Sequence, residues 1–190
     1  LFANISSSPR MIIDSGDVFL MSLIAGNSSA GIYKIAKAFA SPILIIVTPM
    51  REHLFKLFSD DFKGSLPRPF VVWTMIMLLL LPLTAFVILE VGVVLSIDTK
   101  ILNIFTLILS AYFVYLAGVY FQPIMYARSM YQSFFWASLI SSFCFFAFIL
   151  YPPKGIPLYA LLASALLFCN VIWFLICMMR LNWRKYEGFN

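Results

Sequence analysis

DSGDVFLMSLIAGNSSAGIYKIAKAFASPILIIVTPM, residues 14–50, decides the fold. Two largely apolar runs flank a small polar turn, Asn27-Ser28-Ser29. Inside the apolar pattern lie four ionisable residues, Asp14 and Asp17 before the turn and Lys34 and Lys37 after it. Each pair is spaced by three, which places its members on one helix face. Charge on a membrane helix is costly and usually faces a bundle interior or a wet cavity. The stretch therefore reads as a helical hairpin within a bilayer, with its polar groups turned inward.

The rest of the chain supports a lipid environment. Of its 190 residues 63% are hydrophobic and only 11% charged, and the mean hydropathy is +0.97. That lies outside the range of soluble domains. Apolar runs of spanning length recur, and the alternating ten-residue segments of a β-barrel do not. The fold class expected is all-α, a polytopic membrane bundle of about six spans in one domain, residues 1–190. The spans fall near 11–26, 31–49, 70–91, 101–122, 133–151 and 157–179.

Pro42 and Pro49 interrupt the second span, and proline removes a backbone donor, so a kink is expected near Ala38–Pro42. Residues 51–68 are charged, with Leu54, Phe55, Phe58 and Phe62 at helical spacing, and read either as an interfacial amphipathic helix or as a solvated loop with a helical turn. Pro123–Gln132 reads as an inner loop. Ser133, Ala137 and Ser141, with Ser138 and Ser142 beside them, suit close helix packing. Tyr112 and Tyr115 share a face and read as core. The tail after residue 180 reads as a basic, aromatic surface anchor. Cys144, Cys169 and Cys177 lie in apolar runs and act as small hydrophobes.

Basic residues in loops set the orientation. Arg10, Arg51, Lys56, Lys63, Arg68, Arg128, Arg180, Arg184 and Lys185 fall on the side of both termini, against Lys100 and Lys154 opposite. The positive-inside rule puts both termini in the cytoplasm. The chain begins at Leu1, with no signal-peptide pattern, and is expected to be a piece of something longer.

The sequence has no P-loop, GxSxG, HExxH or CxxC pattern, and no enzyme, metal or cofactor is expected. No nucleic-acid module is present. The charged hairpin remains. If its arms are antiparallel, Asp17 and Lys37 lie at depths that differ by about 4–5 Å, which a lysine stem spans. Asp17 is expected to meet Lys37 or Lys34 inside the bundle; the alternative has both lysines reaching outward to headgroups. Lys34 and Lys37, with Arg128, would offer positive charge to an anionic group, for which phosphate is the natural candidate.

An aspartate in an early span (Asp17), a short polar turn, the run AGIYKIA (30–36), a proline-terminated helix (Pro49) and a charged inner segment follow in order. The pattern resembles the start of the C-terminal half of polysaccharide and O-antigen flippases, in the multidrug/oligosaccharidyl-lipid/polysaccharide exporter superfamily. The resemblance covers nearly the whole chain and is most specific at Asp17 and Gly31-Ile32-Tyr33. It implies one six-helix lobe of a two-lobe transporter in the bacterial inner membrane. The substrate implied is undecaprenyl-pyrophosphate-linked oligosaccharide, an O-antigen or capsule repeat unit. Asp14, Asp17, Lys34, Lys37 and Arg128 would line the pathway. The partners implied are the lipid-linked oligosaccharide, membrane lipids and the N-terminal lobe or a partner half. A drug or metabolite antiporter of the same superfamily, and a membrane enzyme of glycan assembly, are the alternatives.

Overall fold

The computed structural model describes the backbone of residues 8–59, 68–94, 96–151 and 157–187. All seven elements in these residues are helices: α1 (Ser8–Ala40), α2 (Pro42–Ser59), α3 (Arg68–Val94), α4 (Thr99–Ala117), α5 (Phe121–Ala127), α6 (Tyr131–Leu150) and α7 (Leu158–Glu187). Four apolar stretches among them are long enough to cross a membrane: Phe70–Gly92, Thr99–Ala127, Tyr131–Leu150 and Tyr159–Leu181. Gly26–Ala40 and Pro42–Lys56, bent by 45°, make a fifth if the pair is one broken span and not a re-entrant loop. The chain is thus a multi-pass helical membrane protein.

The hairpin closes more sharply than its composition suggests. Helical geometry fails only at Gly26, where φ is 79° and ψ is 167°. Such a backbone is open essentially to glycine alone. Asn27, Ser28 and Ser29 are therefore not a loop; they already belong to the returning helix. The reversal follows from side chains. Asp17 and Lys37 touch, whereas twenty residues of straight helix would hold them about 30 Å apart.

The chain bends by 45° next to Pro42, as expected, whereas Pro49 and Pro123 act differently from the expectation. The break falls at Ser41, and Pro42 is the first residue of α2, where its missing N–H has no intrahelical role. The second span does not end at Pro49. The helix continues through it to Ser59, so the amphipathic segment begins as an extension of α2; residues 60–67 lie outside the described residues. Pro123 sits in the first turn of α5, again where a donor is dispensable. The expected inner loop 123–132 accordingly shrinks to residues 128–130. The tail after Arg180 also stays helical, to Glu187.

Two apolar clusters fill the bundle. One joins the start of α3, the end of α4, α5, the start of α6 and the C-terminal half of α7, around Phe121, Phe134 and Trp173. The Phe121 and Trp173 rings meet edge-on with centroids 5.5 Å apart. Gly118 caps α4 here, and a Cβ at that position would lie 2.6 Å from a Trp173 ring carbon, so the packing requires glycine. The carbonyls freed at this break find donors on α3: Trp73 Nε1 to Leu116 O at 3.2 Å, and Thr74 Oγ1 to Ala117 O at 3.2 Å. Helix ends buried without such partners are costly.

The second cluster packs Met21, Ala30, Tyr33, Ala36 and Ala40 of α1 against α4, α6 and α7. Asn170 ties α7 to α4 by donating to Ala111 O at 2.8 Å. On α6 the expected small-residue face is buried; Ser141 and Ser142 both donate to Ser138 O, at 2.9 and 2.8 Å. Tyr112 is buried and Tyr115 half-buried. The three cysteines are free thiols, two of them buried.

Candidate functional site: a buried ion pair in the α1 hairpin

Because Gly26 turns α1 back on itself, residues equidistant from it face each other. Tyr33 and Lys37 are four apart and share one face of the returning arm. Opposite them on the outgoing arm stands Asp17, whose side chain is wholly buried. Lys37 Nζ donates to Asp17 Oδ1 and Oδ2, at 2.7 Å each. Tyr33 Oη donates to Oδ2 at 2.9 Å. The Val18 amide donates to Oδ1 at 2.7 Å. Each carboxylate oxygen thus accepts two bonds, from one charged and one neutral donor, as a buried carboxylate requires.

The pair is electrically neutral as a unit. The site's third member, Tyr33, belongs to the apolar cluster that includes Met21, Ile104, Ile108 and Tyr112. Taking both ions out of water costs several kcal/mol each, and charge-assisted bonds at this length offset that cost. The lysine side chain keeps 17% exposure against none for the aspartate. Lys37 is therefore the more accessible residue of the pair.

The other sequence candidates are placed as follows. Lys34 is exposed: one residue beyond Tyr33, it is turned about 100° round the helix from it. The Asp14 side chain lies outside the described residues. Arg128 caps the C-terminus of α5, sixteen residues beyond Tyr112 along α4 and α5, or roughly 20–25 Å at the helical rise. The fold brings Asp17 and Lys37 together and sets Arg128 at the far end of the bundle.

Tyr33 is the participant that sequence reasoning missed. Its signal was present: a tyrosine one turn before an intramembrane lysine carries a hydroxyl that a buried site must satisfy. Among the described residues, no group of three or more His, Cys, Asp or Glu is placed to hold a metal ion. No protein-family model, curated protein or solved structure matches the chain.

Proposed function

We propose that this chain is one six-span lobe of a two-lobe transporter that flips undecaprenyl-pyrophosphate-linked oligosaccharide across the bacterial inner membrane, with both termini cytoplasmic. The observation that carries the reading is the buried Asp17–Lys37 pair. A bundle that only fills space gains little from such a pair, since apolar side chains of similar volume serve as well or better. Intramembrane ions mark pathways more often than scaffolds. Lys37 supplies a partly exposed ammonium, and Asp17 with Tyr33 fixes its position. An anionic phosphate group arriving at the lobe's inner wall competes with Asp17 for that amine. Exchange of partners would give the lobe two packings, as alternating access needs.

A second reading is favoured by one observation: the Lys37 charge is already answered by Asp17. The site then carries no net positive charge, and a buried carboxylate with an exchangeable partner suits an ion-coupled drug or metabolite antiporter of the same superfamily.

One experiment separates the two. Asp17→Asn and Lys37→Ala are placed in the full-length gene, in cells that lack the native copy. Loss of surface glycan with unchanged drug sensitivity supports the flippase. The reverse pattern supports the antiporter, and full activity of both variants defeats both readings.

A further inference from the structure

The basic end of the bundle holds a second polar cluster, independent of the hairpin. Arg51 on α2 is half-buried, and its Nη1 donates to Gln122 Oε1 on α5 at 3.1 Å. Gln122 is also hydrogen-bonded to the Tyr126 hydroxyl one turn later. The Tyr126 ring packs edge-on against Phe55 of α2, at 5.6 Å, and against Tyr131 of α6, at 4.9 Å. Two residues beyond, Arg128 ends α5.

The backbone fixes that arginine. Met130 N–H bonds Met125 O at 2.7 Å and Ser129 N–H bonds Tyr126 O at 2.9 Å, with Ser129 at φ 57°. This is a Schellman cap, so the backbone of Arg128 is held in a set position two residues after Tyr126. Among the described residues, Arg51 meets a neutral amide in place of an acid. The nearest acid in sequence, Glu52, is exposed.

We propose that Arg51, Gln122, Tyr126 and Arg128 form a headgroup site for an anionic glycerophospholipid of the adjoining leaflet. The reasons are chemical. A guanidinium presents a planar fork of donors suited to phosphate. Tyrosine rings sit well at headgroup depth. Basic pockets between membrane helices bind anionic headgroups. The phosphate seats between α2 and α5, and the glycerol and first methylenes lie on the Phe55, Tyr126 and Tyr131 rings. The site staples α2 to α5, and it stands whether or not the chain is a transporter.

The test is native mass spectrometry of the full chain in detergent. Phosphatidylglycerol, phosphatidylcholine and inorganic phosphate are offered separately at matched concentration. The wild type is expected to retain phosphatidylglycerol about tenfold better than phosphatidylcholine, because both carry the phosphate and only phosphatidylcholine adds a cation that the two arginines repel. Arg51→Gln/Arg128→Gln is expected to bring the two lipids near parity. Lys100→Gln, at the opposite end, is expected to leave the preference intact. Where the double variant does not fold, Arg51→Lys keeps the charge, loses the fork and is expected to lower the preference in part. Equal retention of both lipids by the wild type overturns the proposal. So does an equal loss in Lys100→Gln, or phosphate alone bound as well as the lipid.

Discussion

Removing one member of the α1 ion pair is far more damaging than removing both. Unit charges about 3 Å apart attract by about 5–6 kcal/mol at an effective dielectric near 20, and desolvation of the two groups takes back much of that. Lys37→Met deletes the attraction and leaves a carboxylate with no exposed surface and only the Tyr33 hydroxyl and Val18 amide beside it. Lys37→Met is therefore expected to destabilise the bundle by about 3–5 kcal/mol. Asp17→Asn/Lys37→Met, which removes both charges, should return to within about 1 kcal/mol of the wild type, since uncharged replacements of buried pairs are often neutral. Tyr33→Phe, which takes away one donor to a charged acceptor, should cost about 1.5–3 kcal/mol. The assay is reversible unfolding in mixed micelles of rising dodecyl sulfate fraction, followed by helical circular dichroism. A Lys37→Met cost below about 1 kcal/mol, or a double variant no more stable than the single, refutes the description of a desolvated, mutually dependent pair.

Three further expectations use the same unfolding measurement. Gly26→Ala forces a β-carbon into a backbone region nearly closed to L-residues and should cost about 1–3 kcal/mol; a neutral result would mean that the reversal is relaxed. Gly118→Ala drives a methyl into the Trp173 and Phe121 rings and should cost about 1–3 kcal/mol, with a change in tryptophan emission as the local readout. Ser129→Gly relieves a left-handed residue at the α5 cap and should be neutral to stabilising, by up to about 1 kcal/mol; a clear loss would show that the serine side chain has its own partner.

The late spans were legible in the sequence because length and hydropathy are local quantities. The expected 70–91, 133–151 and 157–179 lie within a few residues of Phe70–Gly92, Tyr131–Leu150 and Tyr159–Leu181. The prolines misled at Pro49 and Pro123, because a proline in a string shows only that a donor is missing. Whether that donor would have been used depends on where the helix begins. At Pro42 and Pro123 it begins at or just before the ring.

The charged hairpin divides the same way. The sequence alone showed that residues 14–50 are two apolar runs carrying ionisable residues, and it led to the expectation that Asp17 meets a lysine. Only the tertiary structure decided that the lysine is Lys37 and that Tyr33 completes the site. Depth along a helix follows from counting residues, at 1.5 Å each. The angle at which two helix faces meet is set by the single non-helical residue between them, Gly26, and by the packing of α1 on α4, α6 and α7.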